Sequence, residues 1–492
     1  MSAQDKSHKH PTSSWVLTGP WAGAWKIFAG IGALGAVGAG LGFASDPRRF
    51  AYSWMFAYVT CLAIALGSIF FVLVQRLTSA GWSVTVRRTA EFFGYGILVM
   101  IPLFIPILMS MGHLFPFLDG KHAEGAAEKH GSIALITPAY AQPHEGAAPG
   151  APHEGMAPGM APSGHGARDV GPGEGGERGA RAGMAAGKHA AAGVHEAGSA
   201  ENALHESHAK IHDGTMERKS AYLNKTFFYV RAVLYFIIWA FLGVRLLSYS
   251  TTQDTTKDPN LTLRAQRFAP PATMLFALSL TFAAFDWIMA LEPTWFSTIF
   301  GVVYFSCGVV SSYAVIILVT MALRTSGPLE GAVTPEHYHD LGKLMFGFLV
   351  FWAYVSFSQF MLIWYAALPE ETTFFHNRWD FGPWSKVSLA IIVFGFVAPF
   401  FWLISRNFKR NLGRLQVGAA ILLVMHVVDM YWFVMPNYAL GSNDFSFSWI
   451  DAACLLAVGG VYGAFVFFRM TKHSLVPIGD PRLERSLHFQ NA

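Results

Sequence analysis

Ten stretches of this chain are apolar for long enough to cross a lipid bilayer: residues 24–43, 52–76, 92–115, 226–247, 268–290, 297–322, 342–367, 386–405, 412–435 and 448–468. A hydrocarbon core of about 30 Å takes about 20 helical residues. Within it every backbone N–H and C=O must be satisfied without water, which leaves helices or a closed barrel. Runs of this length without two-residue alternation select helices. The expected fold class is therefore an all-α membrane protein of about ten transmembrane helices. Composition agrees, since the chain is 53% hydrophobic and 13% charged, whereas a soluble domain carries about 25% charge. The first run is Gly-rich behind a Lys- and His-bearing leader, but its length and the apolar hairpin after it favour an uncleaved helix over a signal peptide.

Lys and Arg set the expected orientation. With the N-terminus in the cytoplasm, Lys26, Arg76, Arg87, Arg88, Arg264, Arg267, Arg324, Arg406, Lys409, Arg410, Arg469 and Lys472 fall near cytoplasmic span ends. The opposite short loops keep chiefly Arg48, Arg49 and Arg378. Both termini are then cytoplasmic. The expected organisation is an N-terminal tail (1–23), spans one to three (24–118), a long outer loop (119–216), spans four to ten (217–468) and a C-terminal tail (469–492). The net charge of +4 is small and spread over short loops, which argues against a nucleic-acid partner.

The 119–216 segment is rich in Gly, Ala, Pro, His and Glu. It lacks the apolar surface needed to offset the entropy of ordering, and is expected to be a disordered loop. Its histidines, among them His144, His153, His165 and His189, are irregularly spaced and define no metal site. Cys61, Cys307 and Cys454 lie far apart within apolar runs, so the sequence offers no anchor for a cluster, a covalent haem or a disulfide.

Short echoes point to an internal duplication. Tyr58-Val59-Thr60-Cys61 resembles Tyr304-Phe305-Ser306-Cys307, and Phe285-Asp286-Trp287 resembles Val428-Asp429-Met430-Tyr431. Tyr58 and Asp286 are 228 residues apart, about 131 without the insert, against 125 for Tyr304 and Asp429. Spans two to five and six to nine then form two four-helix bundles in parallel repeat, with two peripheral helices. Parallel copies differ from the inverted repeats of many transporters.

Ionisable groups at membrane depth are the functional candidates. An Asp at a helix centre costs about 2.5–3.5 kcal/mol on insertion scales, so it faces protein or a wet cavity. Asp286 and Asp429 occupy matching repeat positions, and His426 shares a helix face with Asp429. Such a pair either relays protons or simply fixes helix packing. Glu292, Asp451 and His113 lie towards the same outer surface and extend the candidate path, or else are ordinary solvated ends. At the cytoplasmic edge stand Arg76 and Glu91, with His337, His339, Asp340 and Lys343 at the start of the seventh span. Capping and surface pairing explain these equally well. Tyr354, Ser358 and Gln359 would line a route between the two groups. A bis-His haem would need imidazoles at matching depth, and His113 and His426 differ by about 10 Å at 1.5 Å per residue.

The stretches FAAFDWIMALEPTWFSTIFGVVYF (282–305), HDLGKLMFGFLVFWAYVSFSQFMLIWYAALPEET (339–372), VMHVVDMYWFVMP (424–436) and GWSVTVRRTAE (81–91) resemble the ActF subunit of alternative complex III. This bacterial quinol:cytochrome c oxidoreductase has two membrane subunits related to the NrfD and polysulfide-reductase proteins. The resemblance implies a ten-helix protein in the bacterial inner membrane. It also implies a second NrfD-type subunit, an iron–sulfur subunit and c-type cytochromes as partners, with haems and clusters on those partners and a terminal oxidase as a further neighbour. A quinone or menaquinone site on this chain would use His426, Asp429 and Tyr431. The same residues would equally serve protons alone.

The expected function is thus a membrane subunit that conducts protons or couples quinol oxidation to proton movement. The alternatives are a quinol-oxidising subunit in its own right, a secondary transporter or a membrane scaffold. A transporter predicts helix breaks at corresponding places in paired spans, and Pro102, Pro106 and Pro399 do not correspond. A scaffold predicts dry, packed aspartates.

Overall fold

The computed structural model describes residues 15–119, 214, 216–325, 327–379, 382–438, 445 and 447–490. Most of the 119–216 loop, with its four named histidines, lies outside the described residues. The chain is an all-α membrane protein, with no strand among the described residues. Ten helices are long and apolar enough to cross a membrane: Gly19–Ser45, Pro47–Leu77, Val84–Met109, Lys225–Thr256, Pro259–Leu291, Phe300–Thr325, Pro335–Ala366, Pro383–Ile404, Leu412–Asn437 and Trp449–Met470. They are called the first to tenth spans below.

The second and sixth spans form the centre and are buried along most of their length. They meet where glycine removes the side chain. A Cβ on Gly67 would lie 2.1 Å from the Gly308 carbonyl oxygen, and one on Gly308 would lie 2.8 Å from that of Ala63. Close approach through small residues is the usual means of helix association in lipid, where no hydrophobic force drives it. The fifth span packs on both central helices, and so does the ninth. That contact pattern is what two copies sharing one central pair produce.

The Gly-rich first span is explained by its partner. It lies along the tenth span, with Gly32 against Gly460 and Val461, Gly35 against the Ala457 backbone, and Gly42 against Ile450. Its other face, including Leu34, Val37 and Leu41, is exposed.

Helix irregularities do not fall at corresponding places in spans two to five and six to nine. The third span is interrupted at Gly96, Phe104 and Ser110, around Pro102 and Pro106, whereas the seventh is one helix from Pro335 to Ala366. The eighth widens to a π-helix at Ile391–Val397, just before Pro399, whereas the fourth runs unbroken from Lys225 to Thr256. Pro270 and Pro271 sit inside the fifth span without ending it. The corresponding mid-membrane breaks expected of a transporter are missing from these spans.

Two expectations need correcting. Helix begins at Val84, not near residue 92, because the charged turn VTVRRTAE is itself buried. Residues after Met470 are not a free tail. Leu475 N–H donates to the Trp15 carbonyl at 2.8 Å, Leu475 and Val476 are fully buried, and Ser486 bonds to Trp82 and Thr85 at the start of the third span.

Candidate functional site

Three of the four acidic groups expected near one membrane surface prove to be neutralised by arginine. Asp286 takes Arg231 Nε at 2.7 Å on Oδ2 and Nη2 at 2.9 Å on Oδ1, and Tyr235 Oη donates to Oδ2 at 2.7 Å. Arg231 is further covered by the Tyr222 ring and donates to the Tyr222 carbonyl. Asp451 accepts from Arg49 Nε and Nη2, from Ser53 and Tyr431 hydroxyls, and from the Ser448 backbone as the partner in a capping box. Glu292 meets Arg378 Nη1 at 3.2 Å and Asn377 at 3.3 Å. Arg378 also donates to the Phe374, Trp432 and Phe433 carbonyls. Burial lowers its affinity for a proton, while Glu292 works to restore it.

Asp429 is the exception, since none of the described ion pairs includes it. Its partners are neutral: Cys307 Sγ lies 3.0 Å from Oδ2, and the Trp352 indole also hydrogen-bonds to the carboxylate. The carboxylate opens into a cavity of about 30 Å³ lined by Cys307 and Val310 of the sixth span, Leu349 and Trp352 of the seventh, Ile391 and Gly395 of the eighth, and Leu422, Met425, His426 and Asp429 of the ninth. Ile391 and Gly395 both belong to the π-helix, a local widening often found where a helix lines a functional site. His426 Nε2 is 3.2 Å from the Thr60 carbonyl, and Nδ1 is buried without a hydrogen-bond partner. A polar cavity needs about 10–15 Å³ to hold a water, so one or two waters fit between these groups. They would satisfy the Nδ1 atom and the free carboxylate lone pairs.

The three residues expected to hold a quinone do not meet at one place. Tyr431 Oη turns to Asp451 and does not line the Asp429 cavity. The cavity is also far below the roughly 300 Å³ typical of small-molecule sites. His426, Asp429 and Tyr431 therefore do not make one headgroup site here.

The remaining expected residues scatter. Tyr354 is 65% exposed on the outer face of the seventh span and lines no interior route. Ser358 is half-buried. Gln359 is buried with Nε2 unpaired, on the inward stripe that also carries Leu349 and Val355. His113 is exposed. At the opposite end of the bundle, Asp340 pairs with Lys343, and His339 is buried beside it with Nδ1 4.0 Å from the carboxylate. His337 caps its own helix through Thr334 and meets Ser486. Arg76 and Glu91 do come together, but inside a larger network that holds Arg87, Arg88, Asp254 and Asp480.

Sequence reasoning missed Arg231 and the interior placement of Arg49, Arg87, Arg88 and Arg378. Arg231 is visible as a cation inside an apolar run, and such a residue calls for a partner carboxylate. The three cysteines are buried and unlinked. Among the described residues no three His, Cys, Asp or Glu side chains gather as metal ligands. Compared with models of known protein families and with curated proteins, the chain gives no match.

Proposed function

We propose that this chain is a proton-conducting membrane subunit of a bacterial quinol:cytochrome c oxidoreductase of the alternative complex III type. The observation that carries the proton role is the contrast among buried carboxylates. A carboxylate locked to a guanidinium stays ionised and holds its place, and a proton reaches it only by breaking the pair. Asp429, with a thiol, an imidazole and room for water around it, is free to gain and lose a proton without that cost. His426, one turn away on the same helix, supplies a second exchangeable nitrogen across the cavity.

The assembly-level part of the proposal rests on the sequence resemblance. Electron carriers, meaning haems, iron–sulfur clusters and any quinone in contact with them, are assigned to partner subunits: a second NrfD-type protein, an iron–sulfur protein and c-type cytochromes, with a terminal oxidase as a neighbour. Both termini are assigned to the cytoplasm of a bacterial inner membrane from the distribution of Lys and Arg. The alternative of a quinol-oxidising subunit has less support, because the Asp429 cavity has no room for a headgroup.

Purifying the full chain from its native membrane tests the assembly. Co-purifying c-type haem absorbance and quinol:cytochrome c activity are expected, and a chain that purifies alone without either would overturn the assignment. In that assembly Asp429→Asn is expected to keep haem content and quinol binding while losing proton movement. Unchanged proton movement would refute the role of Asp429.

A further inference from the structure

At the end of the bundle that carries the C-terminal segment, a buried ionic network joins the second, third and fourth spans to residues 480–482. Glu91 Oε1 meets Arg87 Nε at 3.1 Å and Arg76 Nη2 at 3.5 Å, and Oε2 meets Arg88 Nε at 3.1 Å. Arg88 also forks onto Asp254, at 2.8 and 3.0 Å. Asp480 draws in three guanidiniums: Arg87 at 2.7 Å, Arg482 at 3.4 Å and Arg76 at 3.7 Å.

Four guanidiniums, those of Arg76, Arg87, Arg88 and Arg482, thus face three carboxylates, those of Glu91, Asp254 and Asp480. One positive charge is left over in a network whose only openings are at Arg482, 18% exposed, and Asp254, 11% exposed. The hydrogen bonding shows where it sits. Arg76 is 1% exposed, and none of its three guanidinium nitrogens has a hydrogen-bond partner. Arg87 Nη1 and both terminal nitrogens of Arg482 are likewise buried and unpaired. Six donor nitrogens in this network are therefore without a hydrogen-bond partner. Buried donors of this kind are normally satisfied by protein, water or an ion. A surplus buried charge adds a demand that water alone does not meet.

We propose that this network binds one small monovalent inorganic anion of the halide class, held by Arg76 together with the unpaired nitrogens of Arg87 and Arg482. The anion completes the charge balance and ties residues 480–482 to the third span. Planar guanidiniums with several N–H groups suit such a ligand, because their donors converge and their charge is permanent.

The test compares melting of the full chain, or of its native assembly, in sodium chloride and in sodium gluconate at equal ionic strength. A ligand that binds only the folded state raises the melting temperature with its concentration. Chloride is expected to give a saturable rise of a few degrees over gluconate. Arg76→Gln removes the surplus charge, so it is expected to melt at or above the wild type in gluconate and to lose the chloride effect. No chloride effect in the wild type, or an undiminished one in Arg76→Gln, overturns the proposal in favour of water alone. Should Arg76→Gln fail to fold, wild-type crystals grown in bromide decide the matter. An anomalous peak within hydrogen-bonding reach of Arg76 supports the site, and its absence refutes it.

Discussion

Arg231 grips Asp286 through two guanidinium nitrogens, at 2.7 and 2.9 Å, whereas the side chains that meet Asp429 are neutral, the Cys307 thiol at 3.0 Å and the Trp352 indole. Asp286 is locked into a brace, whereas Asp429 stands beside a cavity. Substitutions at the two positions should therefore differ in kind.

Asp286→Asn leaves Arg231 buried with its charge uncompensated, and is expected to cost about 3–5 kcal/mol of stability. Asp429→Asn strands no cation and is expected to cost about 1 kcal/mol, clearly less than Asp286→Asn. Thermal or denaturant melts of the two variants in the same detergent check this; equal destabilisation would erase the distinction.

Tyr431 belongs to the Arg49–Asp451 brace. Tyr431→Phe removes a hydrogen bond to a charged group, worth about 1.5–3 kcal/mol, without touching the cavity. Proton movement by Tyr431→Phe should match the wild type once the protein is folded, and a loss as large as that of Asp429→Asn would place Tyr431 in the path after all.

The central helix pair is set by Gly67 and Gly308. A methyl group at Gly67 would fall 2.1 Å from a backbone oxygen that cannot rotate away, so Gly67→Ala must push the second and sixth spans apart, at about 1–3 kcal/mol. Gly40, whose Cβ would meet open space, is the control. Gly40→Ala is expected to melt with the wild type.

Asp480 predicts how acid acts on the C-terminal segment. Burial alone would raise its affinity for a proton, but Arg87, Arg482 and the Arg482 backbone outweigh that and hold the carboxyl well below the usual range. A carboxyl depressed in the folded state stabilises fully above its unfolded value of about 4 and loses that contribution as pH falls further towards the folded value. Hydrogen exchange over residues 474–487 should be protected equally at pH 7 and 5, after correction for intrinsic rates, and lose protection below about pH 4. Loss of protection between pH 7 and 5 would point to a different group.

The positions of the ten spans were legible in the sequence because burial in lipid requires about 20 apolar residues in a row, and nothing else in the chain imitates that. What hydropathy hides is charge that is buried in pairs. Residues 84–91 lie outside the third apolar stretch of the sequence, yet form the first turns of the third span because Glu91 pairs with Arg87, and Arg87 and Arg88 find Asp480 and Asp254. Those partners stand more than 160 residues away in the chain, a separation at which no local pattern records the contact. The same reason hid the division of labour at the site: Asp286 and Asp429 look alike in sequence, and only the fourth span's Arg231 tells them apart. The π-helix at Ile391–Val397, IIVFGFV, likewise carries no local pattern that sets a widened turn apart from an apolar α-helix.

The most direct measurement follows light-scattering-matched vesicles that carry the reconstituted assembly, with an internal pH dye, during quinol oxidation. The wild type and Asp429→Glu should move protons, and Asp429→Asn should fall to the leak of protein-free vesicles with electron transfer to cytochrome c retained. Proton movement by Asp429→Asn at the wild-type ratio to electrons would contradict the account.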